Sequence, residues 1–383
     1  TTVSVPATLR FMKFEPKPWL IYTMIGLLAC ADGAYLATLL IGHAYPCDFE
    51  VYQLAGHSIL HGNGIYETLT SGCHLKFTYT PFAAMVFSLF SLLGPAGFAV
   101  WTVLSLLALG RVVWLLVDSS GLEVKPLSTT QLVAVIILLA LPLEPFVKTI
   151  WYGQVNILLM WLIVESFFGP VRRYNPVLSA LATAVKLTPG VFSLFFFVVH
   201  GMRDRLILIG TFLVTVVLGF AVQGHQSWDY WTSLLFNADR VGPTEYVYNQ
   251  SINGMLWRLV GDGGSRTLWL ILVLAVVASG LVVARSLWNA DQHVWAVGTV
   301  GLVALLVSPI SWSHHYVLLL IVLVALMHDA SHHRFSMVMA GSTYVLLLAA
   351  NVVFKMVPHK HHAEFDLHGV QVFMANQYVV LAL

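Results

Sequence analysis

Apolar runs follow one another along almost the whole chain, broken by short polar segments that carry most of the charge. Residues 19–41, 96–117, 127–141, 155–168, 206–222, 268–287, 294–307, 316–327, 337–354 and 370 to the end read as membrane helices. A spanning helix needs roughly 20 mostly apolar residues. Residues 80–93 make a run of only 14, closed by Gly94-Pro95. As a helix it would be about 21 Å long against a hydrocarbon core of roughly 30 Å, so it is expected along the outer membrane surface. Residues 177–200 are interrupted by Lys186-Leu187-Thr188-Pro189-Gly190, which predicts two short helices meeting at an apex within the membrane. Irregular backbone at that depth is tolerated where it is buried in protein or lines a cavity.

Basic residues orient these elements, because loops rich in Lys and Arg stay in the cytoplasm. Arg10, Lys13 and Lys17 precede the first run and put the amino terminus inside, as in a retained first helix without a cleaved signal. Residues 43–77 then emerge outside. Arg172-Arg173 and Arg203/Arg205 both belong inside, so residues 177–200 must leave and return to one side. This topology keeps Arg10, Lys13, Lys17, Arg111, Lys125, Arg172, Arg173, Arg203, Arg205, Arg285 and Arg334 inside, eleven of 19 basic residues. It gives about twelve membrane helices, arranged as a membrane module over residues 1–223 and a second over 224–383.

Composition agrees: 58% hydrophobic and 10% charged residues, where soluble domains carry about 25% charged. A net charge of +1 excludes a basic nucleic-acid binder. Of the 3 cysteines, Cys30 sits in an apolar run, while Cys47 and Cys73 share the outward segment and can pair there. No Walker, GxGxxG, CxxC or HExxH pattern occurs. His359, His361, His362 and His368 fall in one loop and read as solvated rather than metal-binding.

The topology gathers unusual polar groups on the outer side. Asp48 follows the first run; Glu144, Lys148, Tyr152, Gln154 and Asn156 flank another; Lys186 sits at the apex; Asn249 and Gln250 end a long loop; His314 and His315 begin a span. A carboxylate near imidazoles suits general-base chemistry, and a lysine at the membrane boundary suits an anionic headgroup. Structural alternatives exist for each: Asp48 as a helix N-cap, Lys186 snorkelling to the interface, Gln154 and Asn156 as interhelical glue. Independent structural roles would not need to fall on one face.

Read in order, Asp48-Phe49, Gly153-Gln154-Val155-Asn156, Lys186-Leu187-Thr188-Pro189-Gly190, Asn249-Gln250-Ser251 and Ser308-Pro309-Ile310-Ser311-Trp312-Ser313-His314-His315 resemble a known family. It is that of the actinobacterial GT-C glycosyltransferases that use polyprenyl-phosphate mannose, and the likeness is strongest to members that extend phosphatidylinositol mannosides. The resemblance implies an all-α polytopic membrane protein with the GT-C fold and in-plane helices in the first external loop. It implies inverting transfer of mannose to a glycolipid, giving an α-1,2-mannoside at the outer face of the plasma membrane. The donor is a lipid-linked co-substrate, with no metal, nucleotide cofactor, nucleic acid or obligate protein partner. It implies Asp48 as base, with His314 or His315 beside it, and Lys186 and Lys148 for the donor phosphate. Glu144, Tyr152, Gln154, Asn156, Asn249 and Gln250 are the expected substrate contacts. The alternatives are a related lipid-linked-sugar transferase with another acceptor, and a lipid or solute transporter or flippase, which has the same composition but would carry its polar residues at the bilayer midplane.

Overall fold

Caps and turns fall where the apolar runs end. The computed structural model describes residues 18–41, 46–67, 70, 73–237, 240–261, 266–330, 332–359 and 361–383. The basic flank of Arg10, Lys13 and Lys17 lies outside the described residues. In chain order the helices are α1 (Pro18–Ile41), α2 (Cys47–Leu60), α3 (Pro81–Ser91), α4 (Gly97–Ser120), α5 (Thr129–Ala140), α6 (Glu144–Tyr152) and α7 (Asn156–Phe168). They continue as α8 (Asn175–Val185), α9 (Gly190–Val199), α10 (Met202–Val222), α11 (Gly224–Thr232) and α12 (Ile252–Val260). The last are α13 (Arg266–Asn289), α14 (His293–Val307), α15 (Leu319–Ala330), α16 (Arg334–Met356), α17 (Val370–Ala375) and α18 (Gln377–Ala382). Among the described residues β-structure is limited to isolated bridge positions, such as the bridge between Asn249 and Trp312. The all-α membrane architecture is therefore as expected.

Helix α3 starts on an N-cap, with Thr80 Oγ1 accepting from Ala83 N at 3.1 Å and Pro81 at the first position. Helix α5 starts on a capping box between Ser128 and Gln131. The apex between α8 and α9 forms as predicted: Lys186 is extended and Pro189 leads into α9. The two helices fold against each other through hydroxyls, with Ser193 Oγ 2.9 Å from Ser179 Oγ and 2.8 Å from Thr183 Oγ1. Thr80 Oγ1 also donates to Ala184 O, tying the start of α3 to the end of α8.

Some elements differ from the expectation. Residues 142–153 are mostly helical: α6 continues α5 across a 78° bend. The terminal run from Val370 is not one span but α17 and α18, each of 6 residues. They separate at Asn376, whose Oδ1 accepts from Arg258 at 2.6 Å while its Nδ2 donates back to Val372 O at 2.8 Å. The span expected from Tyr316 begins as a 3-10 turn over Ser313–Leu318. Five described helices are long and apolar enough to cross a membrane, six with the bent pair; the expected twelve counts shorter helices as well.

Helix α2 lies against α3 and α4 through aromatic rings. Tyr52 stacks on Phe87 at 4.3 Å between centroids, and Phe49 meets Trp101 at 5.6 Å. Cys47, at the start of α2, is disulfide-bonded to Cys73 across 6.1 Å between Cα atoms. The bond joins the residue before Asp48 to the segment leading to Lys76. Maleimide labelling of denatured, unreduced protein should therefore modify Cys30 alone and all 3 cysteines only after reduction; three labels before reduction would exclude the bond.

Candidate active site

Asp48 stands in the first turn of α2, where a carboxylate is favoured by the helix dipole. Its side chain is held by Gln154 and faces the charge of Lys186. Gln154 is oriented from the other end. Tyr52 OH donates to its Oε1 at 2.9 Å and Tyr79 OH at 3.1 Å, the two hydroxyls themselves lying 2.8 Å apart. With its oxygen engaged twice, the amide turns its N–H toward the Asp48 carboxylate. Burial pushes the Asp48 carboxyl up to about 6, partly offset by the Gln154 bond and the Lys186 charge.

Lys186 extends from the apex into the same space. Nζ donates to Asn156 Oδ1 at 3.3 Å, lies 2.9 Å from His315 Nε2, and sits 5.5 Å above the Tyr79 ring. Asn156 is fixed in turn, donating through Nδ2 to His314 O at 3.2 Å beside Thr149, whose hydroxyl donates to the same carbonyl at 3.0 Å. His315 thus reaches Asp48 through Lys186. The His314 ring packs edge-on against Tyr152 at 5.5 Å, and its Nε2 has no hydrogen-bond partner among the described residues.

These groups surround a cavity of about 400 Å³ lined by Asp48, Tyr52, Tyr79, Gln154 and Lys186, with Lys76, Tyr230, Arg240, Ser308 and Trp312 closing the other side. It draws on residues from both expected modules. Three cations and one carboxylate fit a ligand with an anionic group beside neutral hydroxyls. Lys76, Arg240, Tyr52 and Tyr79 carry no motif, and only their position in the outward segments points to them. Arg240 is held by a bond to Phe77 O at 3.1 Å and by the Tyr66 ring at 5.2 Å.

The remaining sequence candidates have other positions. Glu144 is buried, accepting from Ser313 Oγ at 2.7 Å and Tyr378 OH at 2.9 Å. Asn249 donates to Thr244 O at 2.8 Å and accepts from Ser311 N at 3.0 Å. Gln250 donates to Ala375 O at 2.6 Å and accepts from Tyr378 N at 3.0 Å. These three are committed to internal bonds that join the 244–258 segment, the turn before α15 and the carboxy-terminal helices. Lys148 and Tyr152 are not among the residues lining the cavity; Tyr152 packs on His314, and the Lys148 Nζ lies 5.5 Å from the Tyr152 ring. His362 of the loop cluster meets Glu245 at 2.7 Å.

Gly153 makes the approach of α6 to α2 possible. It ends α6 at φ 67°, and a Cβ there would fall 2.7 Å from Phe49 Cβ, one residue from Asp48. Gly153→Ala should lower both thermal stability and turnover, by about 2–4 kcal/mol in stability from left-handed strain plus overpacking. An alanine variant with unaltered melting would mean that the close approach is not needed.

Residues 77–309 match glycosyltransferase family 87. The chain is 34% identical over 322 residues to the polyprenol-phosphate-mannose-dependent α-(1-2)-phosphatidylinositol mannoside mannosyltransferase of Mycobacterium tuberculosis H37Rv, covering 78% of this chain and 74% of that one. It is 32% identical over 347 residues to the corresponding phosphatidylinositol pentamannoside mannosyltransferase of Mycobacterium tuberculosis CDC 1551, covering 87% and 78%. Among solved structures, ArnT from Cupriavidus metallidurans bound to undecaprenyl phosphate aligns with a TM-score of 0.48 at 15% identity, over 95% of this chain and 71% of that one.

Proposed function

Because this chain belongs to glycosyltransferase family 87, we propose that it moves mannose from polyprenyl-phosphate mannose to a hydroxyl of a phosphatidylinositol mannoside. Family membership sets aside the transporter alternative. The observation that carries the reading is that the Asp48 carboxylate and the Lys186 ammonium line one cavity, with the Lys186 charge acting on Asp48.

Asp48 takes the proton of the acceptor hydroxyl as its oxygen bonds to C1 of mannose. The bond from C1 to the phosphate oxygen breaks, and its electron pair leaves with the polyprenyl phosphate. Attack opposite the leaving group inverts a β-linked donor to an α-mannoside. Lys186 meets the charge that develops on the phosphate, where a fixed cation in a partly dry site acts strongly. Arg240 and Lys76 add to that field, while Gln154 keeps the base oriented. Asn156 and His315 hold the lysine. The phosphate leaving group supplies the driving force, so the reading calls for no resident cofactor. The positive-inside count assigns this cavity to the outer face and the amino terminus to the cytoplasm.

Asp48→Asn keeps the shape and capping ability of the side chain but removes the base, so mannosyl transfer should fall about 10²- to 10⁴-fold with donor affinity retained. Lys186→Ala should instead weaken donor binding as well as turnover, through loss of a charge-assisted contact. An active Asp48→Asn enzyme would sink the assignment.

The pH profile follows from the same carboxyl. The base works as carboxylate, so activity is present above about 6 and is lost as pH falls through that value. Between pH 7 and pH 5 kcat/KM should drop about tenfold with a single-proton slope. A profile flat across that range would show that Asp48 does not take the proton.

A further inference from the structure

Next to Trp312, and outside the residues that line the cavity, lies a second set of rings and cations that the transfer step does not use. The Lys148 ammonium lies 5.5 Å from the Tyr152 ring and 5.9 Å from the Tyr248 ring. Tyr246 continues the row, 5.4 Å from Tyr248 and 6.1 Å from Trp312. Lys355, exposed at the outer end of α16, is close enough to repel Lys148. Among the described residues neither lysine is in an ion pair, and the carboxylate facing Lys148, that of Glu144, is already engaged by Ser313 and Tyr378. Two neighbouring cations that share one buried carboxylate and make no ion pair fit an anion from outside.

Below Lys355 the exposed face of α16 carries Val345, Leu348 and Val352, spaced as one stripe along the helix. That stripe suits acyl chains in the bilayer, with the headgroup phosphate at the level of Lys355. The rings suit a sugar, whose C–H face is apolar and packs on aromatic carbon. Tyr152 feels the charges of both Asp48 and Tyr248, so it lies between the second set of rings and the proposed base.

We propose that this face is the acceptor subsite: Lys355 and Lys148 hold the phosphodiester of an anionic glycolipid, and Tyr248, Tyr246 and Trp312 seat its sugars. The assignment rests on the mannosyl-transfer reading and moves Lys148 from donor to acceptor. Donor and acceptor then enter from opposite sides of Trp312, and Asp48 lies where they meet.

The test uses the full-length protein in vesicles, with polyprenyl-phosphate mannose as donor and two acceptors, a phosphatidylinositol mannoside and a phosphate-free alkyl α-mannoside. The double variant Lys148→Gln/Lys355→Gln should raise KM for the phosphorylated acceptor about tenfold, the worth of a charge-assisted contact. KM for the alkyl mannoside and for the donor should stay within about twofold of wild type, the donor value also reporting that the variant is folded. Tyr248→Leu should raise KM for both acceptors. On the unaltered protein, phosphatidylinositol should inhibit competitively against the acceptor while diacylglycerol does not. Equal loss with both acceptors, a donor KM that rises in step, or inhibition by phosphatidylinositol that competes with the donor would overturn the subsite. A wild-type protein that transfers mannose to neither acceptor would overturn the proposed function itself, and the subsite with it.

Discussion

Lys186 carries its ammonium at the break between two short helices, and the rest of the site is arranged around satisfying it. A charge taken out of water costs several kcal/mol unless oxygen or nitrogen lone pairs replace the solvent. Asn156 and His315 supply two, the Tyr79 ring presents its electron-rich face, and Asp48 supplies the opposing charge. These partners come from separate stretches of chain. The lysine is therefore satisfied only when α2, α7, the α8–α9 apex and the turn before α15 are all in place. The same requirement explains why an apex with Pro189 and Gly190 survives here, since a continuous helix would leave the lysine no such exit.

A second group of buried polar residues does for the outer segments what Lys186 does for the cavity. Arg258 donates to Asn376 Oδ1 at 2.6 Å and to the carbonyls of Glu245, Tyr246 and Asn249 at 3.0 to 3.1 Å. Gln250 and Glu144 reach the carboxy-terminal helices from two other directions. A six-residue helix has too few internal bonds to stand alone, so α17 and α18 hold their place through these contacts. Because the turn bearing His314 and His315 is bonded to Glu144 and Asn249, the carboxy-terminal hairpin indirectly sets the position of the site histidines.

Features that depend on local pattern were legible in the sequence. The apolar runs marked most helices, the Lys186–Gly190 interruption marked the apex, and the short run after Thr80 marked α3. Features set by distant pairing were not. Glu144, Asn249 and Gln250 have the same side chains whether they bind sugar or tie segments together, and only distant partners such as Ser311 and Tyr378, 62 and 234 residues away in sequence, decide between these roles. Helix α6 falls between the apolar runs 127–141 and 155–168, and its Pro145 and polar residues give it no apolar signal of its own. Yet proline at the start of a helix costs nothing. The terminal run looked like one span because Asn376 and Gln377 were too few to break an apolar average, although both are buried and Asn376 accepts from Arg258. Tyr52 and Tyr79 sat unnoticed among aromatic residues, since nothing local reveals that their hydroxyls converge on one glutamine.

The electrostatics of the cavity couple the two halves of the proposed reaction. In the empty site the Lys186 charge makes Asp48 a weaker base than burial alone would. A donor phosphate placed against Lys186 neutralises much of that charge and adds a negative one nearby. Both changes raise the proton affinity of the carboxylate, because a like charge disfavours its ionised form and the loss of a cation removes its support. Asp48 is thus strengthened as a base when a leaving group is present to receive the displaced bond. As the acceptor proton arrives, the carboxylate charge disappears while charge grows on the departing phosphate, so the total negative charge near Lys186 changes little through the step. A site whose charge stays nearly constant needs little rearrangement of its surroundings, and the fixed hydrogen bonds of Gln154 and Asn156 suit that demand.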